Sequence, residues 1–252
     1  YLGQFGSRVP FIAAAAFTLI NLIYGYFILP ESLDKKNRRK FDIKRANPVG
    51  TLMSLKRYPV ISGLLICIVL FNIAQHATHS TWTFFTIEKF DWSEKLVGYS
   101  LGFIGLLAAI VQGGLIRVII PKLGNINSVY FGMIFYILGL SLFAFAEEGW
   151  MVFAFAIPLS LGGISGPALQ GIMTNKIPDD EQGEFQGGMT SLVSLTAIIG
   201  PLLMTNLFSY FTSENSFYYF PGAPFMVGAI ISFFGLIIAV RFLSGSRGGS
   251  GI

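Results

Sequence analysis

An all-α polytopic membrane protein is what this sequence predicts, and three observations carry the prediction. Seven apolar stretches of roughly twenty residues or more follow one another along the 252 residues, each long enough to cross a hydrocarbon core ~30 Å thick. Apolar residues make up 53% of the chain and charged residues 12%, where soluble domains carry about 25% charged residues; mean hydropathy is +0.66. The seventeen Lys and Arg residues fall almost entirely on one side of the zigzag that the stretches describe.

The spans are read as Val9–Leu29, Val60–Ile87, Leu96–Ile120, Ser128–Ala146, Trp150–Met173, Phe185–Phe211 and Pro221–Phe242. With the segment before Val9 outside, the loop after the first span holds Lys35, Lys36, Arg38, Arg39, Lys40, Lys44, Arg45, Lys56 and Arg57. Arg117, Lys122, Lys176, Arg241 and Arg247 fall on the same face, which makes fourteen of the seventeen; only Arg8, Lys89 and Lys95 lie opposite. Basic loops stay cytoplasmic, so the tail is expected inside and Tyr1 outside. The net charge of +4 follows from this rule, with some attraction to anionic lipid headgroups, and calls for no nucleic acid. Cys67 is the single cysteine, so no intrachain disulfide forms. Val9–Leu29 is read as a span because it is too long for a signal peptide and no small-residue cleavage site follows it.

The loop from Pro30 to Pro59 has its own order. Pro30-Glu31-Ser32 ends the first span, and a basic run leads to Asn47-Pro48, where Asn can cap and Pro can open a helix. Val49, Leu52, Met53 and Leu55 then precede Lys56 and Arg57, cations that suit a helix C-terminus. A short helix on the inner membrane surface is expected here; a plain linker is the alternative. The chain starts without Met, and residues 244–251 have Gly/Ser linker composition. It is therefore expected to be part of a longer protein. Residues 1–29 would be the last helix of an N-terminal bundle, 30–59 a cytoplasmic inter-bundle loop, 60–242 a six-helix C-terminal bundle, and 243–252 a linker or tail. One helix followed by six is what a twelve-helix, two-bundle transporter shows without its first five.

The spans are rich in small residues, among them Gly102, Gly105, Gly113, Gly114, Gly162, Gly163, Gly166, Gly171, Gly187, Gly188 and Gly200. Small residues let helices approach closely in lipid, and Pro158, Pro167 and Pro201 are expected to bend them. A rocking bundle and a tightly packed static one both fit. The second span is polar in its outer half, with Asn72, Gln75, His76, Thr78, His79, Ser80, Thr81 and Thr83 beside Trp82. His76 and His79, three apart, share a face, and ionisable groups at such depth are functional hypotheses. Three readings stand open: lining of a wet vestibule, substrate contact, and proton transfer near neutral pH. Two histidines alone make a poor metal site. Gln112 and Gln170 are deep enough to face a central cavity. Gln75, His76, His79, Trp82, Gln112 and Gln170 are accordingly the candidate substrate-binding residues. No phosphate loop, nucleophile triad or carboxylate pair appears, and no catalytic residue, metal or cofactor is expected.

Several motifs carry a family resemblance. Leu29-Pro30-Glu31-Ser32-Leu33 closes the first span, and Phe90-x-Trp92-Ser93 is followed by Gly98-x-Ser100-Leu101 and Gln112. Gly162-Gly163-Ile164 leads into Gly166-Pro167-Ala168-Leu169-Gln170, then Gln182-Gly183-x-x-Gln186-Gly187, Ser191-Leu192-x-Ser194-Leu195-Thr196 and Gly200-Pro201-Leu202. From about Val9 to Phe242 the chain resembles the tetracycline-resistance efflux branch of the major facilitator superfamily. The resemblance implies a major facilitator fold, present as helix six plus the C-terminal six-helix bundle. It also implies proton-coupled efflux of a drug, the proton being the coupling ion, from a bacterial inner membrane. The missing N-terminal bundle would be the structural partner, and substrate would sit between the halves at midplane. Gly114-x-x-Arg117 to Lys122-Leu123-Gly124 looks like a degenerate echo of the family's cytoplasmic signature loop, without its Asp. The His76/His79 pair is not part of that signature, and a major facilitator transporter of an unrelated small solute or metabolite is the alternative.

Overall fold

The computed structural model describes residues 2–6, 8–29, 59–214 and 216–244. The chain divides into two units, Tyr1–Phe41 and Asp42–Ile252. The surface helix expected between Pro30 and Pro59 lies outside the described residues.

In the first unit α1 spans Val9–Ile28 and has Pro10 in its first turn, where a missing amide hydrogen costs nothing. Its 20 residues give about 30 Å of length. None of its side chains is buried within the unit, and Phe11, Phe17, Tyr26 and Phe27 are all exposed. A helix that is apolar all round belongs in lipid or against a partner.

The second unit has no strand among the described residues, its regular elements being helices. Its elements are α2 (Pro59–Phe90), α3 (Glu94–Ile110), α4 (Ile116–Ala144), α5 (Gly149–Leu161), α6 (Ser165–Thr174), α7 (Gln182–Thr212) and α8 (Ala223–Ser244). A π-helical turn over Val111–Leu115 joins α3 to α4, and a 3-10 turn over Gly162–Ile164 joins α5 to α6. The 3-10 turn sits where Pro167 withdraws the amide hydrogen that the Gly163 carbonyl would receive in a regular helix.

Among the described residues six helices are long and apolar enough to cross a membrane, one of them the 51-residue stretch Glu94–Ala144. Straight, that stretch would measure about 76 Å, far more than a bilayer core. It is broken at Gly124, whose φ of 75° and ψ of 161° lie outside the helix in a region that glycine enters freely. Trp82 proves the reversal. Its Nε1 donates to Ser100 Oγ at 3.0 Å, and its ring meets Phe143 edge-on at 5.2 Å. On a straight helix Ser100 and Phe143 would stand roughly 65 Å apart. The stretch therefore crosses twice, which gives six crossings in this unit and, with α1, the seven spans expected from the sequence.

Packing follows a two-fold pattern. α2 packs most heavily on α8 and α7, while the 125–144 limb of α4 packs on α8 and on α5–α6, and α3 on α5. Sequence neighbours α2 and α3, or α7 and α8, touch little. Exchanging the first three crossings with the last three leaves this pattern unchanged. An odd number of crossings separates equivalent helices, so the two repeats are inverted.

Glycines make the central contacts. A Cβ on Gly132 would strike the backbone of Ser165, and one on Gly139 the backbone of Leu159. On α8 a Cβ at Gly228 would press on Ala77 and Leu140, and one at Gly235 on Met133. Each pair is seven residues apart, hence on one helix face, and the second pair repeats the first at an interval of 96 residues. By contrast, a Cβ at Gly102, Gly105, Gly113, Gly114, Gly163, Gly166 or Gly187 meets nothing within 4 Å. Those positions, read from the sequence as packing points, are open within this unit.

Two apolar clusters fill the bundle. One holds Trp82, Phe85, Trp92, Phe143 and Phe225, and the other Leu64, Ile68, Met133, Leu169, Met173 and Phe185. The link between α6 and α7 is latched by Gln182, whose Nε2 donates to the carbonyls of Thr174 and Ile177, both at 2.8 Å.

Overpacking a tight helix contact costs ~1–3 kcal/mol, so Gly132→Val and Gly139→Val should each lower the thermal unfolding midpoint in detergent by roughly 2–10 °C. Gly102→Ala, on an open face, should leave it within about a degree. Unchanged midpoints for both valine variants would show that these contacts do not hold the bundle together.

Candidate functional site

The polar stripe of α2 opens onto a cavity of about 560 Å³, within the range of small-molecule sites. α2 contributes Phe71, Gln75, Thr78, His79, Trp82 and Thr83, and α3 contributes Leu101, Ile104 and Ala108. Both sets recur at three- and four-residue intervals, so each is one face of a helix. Gln112 joins them from the π-helical turn, Tyr136 from α4, Leu159 and Ser160 from α5, and Gly163 from the 3-10 turn. The two irregular turns thus each deliver a residue to the cavity. A turn wound wider or tighter than an α-helix re-aims the side chains that it carries.

Four of the six candidates meet here: Gln75, His79, Trp82 and Gln112. His79 and Gln112 are exposed to the cavity side, whereas Trp82 is 3% exposed. Trp82 belongs as much to the core as to the cavity wall, because its indole is held by Ser100 and Phe143. The structure places the other two elsewhere. His76 turns toward α7, where its ring lies over Gly200 so closely that a Cβ there would overlap it. Its Nδ1 lies 3.4 Å from Ser80 Oγ, and its ring centroid 6.3 Å from that of His79 at a right angle. Gln170, exposed on α6, donates from Nε2 to Gln186 Oε1 of α7 at 3.5 Å. Asn72 does not enter the cavity wall; its amide donates to the Ile68 carbonyl at 2.9 Å.

Tyr136 and Ser160 are cavity-lining positions that sequence reasoning passed over. Tyr136 is 6% exposed and packs on Phe71 at 4.7 Å between ring centroids. A tyrosine at the middle of an apolar span needs a partner for its hydroxyl, and that was the available signal. Ser160 carried none beyond its position two residues before Gly162.

Chemically, the wall offers amides, hydroxyls and one imidazole among aromatic and aliphatic surfaces. None of its lining residues is Asp, Glu, Lys or Arg. Such a site suits a solute with a flat apolar body and several hydrogen-bonding groups. Among the described residues no three His, Cys, Asp or Glu side chains come together to hold a metal ion. A second recess of about 560 Å³ lies by the Gly124 reversal, with Asn125, Asn127, Asn175 and Lys176 on its wall. A third, about 480 Å³, is formed by α7 alone from Ile199 to Tyr210 and is almost wholly apolar.

Comparison with known proteins now has a structure to attach to. The chain is 32% identical over 230 residues to the class C tetracycline resistance protein of Escherichia coli, covering 91% of this chain and 57% of that protein. It is 30% identical over 213 residues to the class B protein of Escherichia coli, covering 83% and 52%. The Homo sapiens Hippocampus abundant transcript 1 protein is 25% identical over 269 residues, covering 95% and 54%. The chain thus spans about half the length of the curated relatives it matches. The family model described as Major Facilitator Superfamily matches residues 1–183. With six crossings arranged as two inverted repeats around a cavity, this chain belongs to the Major Facilitator Superfamily.

Proposed function

We propose that this chain forms the C-terminal bundle, with the helix before it, of a transporter that expels tetracycline or a related drug in exchange for protons. The cavity beside α2 carries the reading. Its uncharged wall of amides, hydroxyls and aromatic rings suits a ring system edged with oxygens, and relatives 32% and 33% identical to the chain are named for tetracycline resistance. A second N-terminal bundle would close the cavity from the other side, and the two would alternate about the midplane site. The bacterial inner membrane is the proposed location, with the tail cytoplasmic as basic loops require.

A second reading has its own support. The Hippocampus abundant transcript 1 proteins of Mus musculus and Homo sapiens match 95% of the chain, and their names specify no drug. A transporter of an unrelated small solute would use the same cavity. Expression of the complete gene product in a drug-sensitive bacterium separates the two. Raised tetracycline resistance, with uptake of the drug into everted vesicles, supports the first; unchanged resistance at normal abundance supports the second.

Orientation has a direct test. Cys67 is fully buried, so introduced thiols report without background. Cysteines replacing Lys36 or Arg57 should react with an impermeant maleimide only after the cells are opened, and one replacing Tyr218 should react in intact cells. The reverse pattern would invert the topology.

Residues 1–252 alone, reconstituted in vesicles, should not move tetracycline in response to a pH gradient, because one bundle offers one wall. Accumulation by this polypeptide alone would overturn the two-bundle reading.

In the complete transporter His79→Ala and Gln112→Ala should raise the KM for tetracycline roughly 5- to 30-fold, the loss of one to two hydrogen-bond equivalents. Abundance should stay near wild type because both side chains are exposed. Unaltered kinetics in both variants would remove these residues from the site.

A further inference from the structure

His76 and His79 divide between two surfaces, and this division has a use. Both lie in the interior of α2, far from its ends at Pro59 and Phe90. No Asp, Glu, Lys, Arg or further His occurs in the facing elements: residues 96–116 of α3 and its π turn, 125–144 of α4, 150–175 of α5 and α6, 185–212 of α7, or 223–240 of α8. The remaining titratable side chains there are the hydroxyls of Tyr99, Tyr130, Tyr136 and Tyr210. The two imidazoles are therefore the groups in the bundle interior able to exchange a proton near neutral pH.

We propose that His76 and His79 together form a proton-binding site, with His79 loading from cavity water and His76 holding the proton against α7. His79 lines the cavity. His76 is seated over Gly200, a position no larger residue could take without displacing the ring. Ser80 Oγ, 3.4 Å from Nδ1, is an acceptor within reach of an imidazolium.

The step balances simply. A proton from cavity water adds to the free ring nitrogen of His79, and through a bridging water across the 6.3 Å between rings the opposite nitrogen of His79 releases one to His76. The two neighbouring cations repel, so the pair takes one proton at a time and titrates as a unit. A charge on His76 lies at the α2–α7 contact, between glycine and apolar neighbours. Protonation therefore favours a looser crossing, and release restores the tight one. This gives α7, which carries one wall of the bundle, two positions selected by the proton.

The inference rests on the proton-coupled reading above, and the experiment separates the two. The complete transporter, reconstituted in liposomes, is assayed for tetracycline exchange at equal pH and for accumulation driven by an imposed pH gradient. His76→Gln, with His76→Asn as the second variant where the first folds poorly, should retain exchange within about two-fold and lose at least ten-fold in driven accumulation. In parallel, imidazole carbon-13 signals assigned by single substitution should titrate between pH 5 and 8. Removal of either ring should shift the midpoint of the other, and a spin-label distance between α2 and α7 should follow the same curve. Driven accumulation at wild-type levels in the His76 variants, or rings that stay silent or titrate independently, would overturn the site while leaving antiport intact. A wild-type protein that exchanges tetracycline but ignores the pH gradient would defeat the antiport reading; linked titration in that same protein would still support the site.

Discussion

Lipid offers helices no hydrophobic reason to associate, since an acyl chain is as apolar as a leucine, and this bundle is organised around that constraint. Close approach must come from shape. The third crossing of each repeat supplies it, with Gly132 and Gly139 on α4 and Gly228 and Gly235 on α8. Backbone meets backbone at Gly132 and Gly139 and side chains at Gly228 and Gly235, and many weak dispersion contacts accumulate over the length of two crossings. α4 and α8 pack on each other and on the first crossing of the opposite repeat. They form the frame.

That frame frees the remaining helices for other work. α3 is lightly held: many of its side chains are exposed and its glycines meet no neighbour, while α7 keeps an exposed face beside its contact with α2. α2 bridges the two roles. One of its faces is buried, with Leu64, Cys67, Ala74, Ala77 and Phe85 fully covered, while Gln75, His79 and Thr83 look into the cavity. A polar stripe in a membrane is tolerable only where it faces protein or water, and here the cavity and the α7 crossing provide both.

The sequence made some of this legible and hid the rest for a physical reason. Spans and reversals are governed by hydropathy and by glycine and proline, which act locally, so the seven crossings, the turn near Gly124 and the irregularity near Pro167 could be read in advance. Polarity inside an apolar run is equally local, which is why Gln75, His79 and Gln112 stood out. Glycine packing is different. Gly102 and Gly139 are indistinguishable in sequence, and only the element opposite decides that one meets nothing and the other meets the Leu159 backbone. The direction of His76 toward Gly200 depends on the same non-local fact, as does the arrival of Tyr136 opposite Phe71. The π-helical turn at Val111–Leu115 left no trace in composition.

That turn bears on how related chains are compared. One surplus residue in a single turn rotates everything downstream by about 100° relative to an unbroken α-helix. Leu101, Ile104 and Ala108 keep one angular phase, and the limb from Ile116 to Lys122 keeps another. A relative lacking the surplus residue would align with this chain without a visible gap on one side of the turn, yet present a different helix face to its surroundings on the other. Identity of letters across this segment is therefore a poor guide to identity of position. The direction in which this limb points its side chains can change with the length of one turn, every one of those residues being left the same.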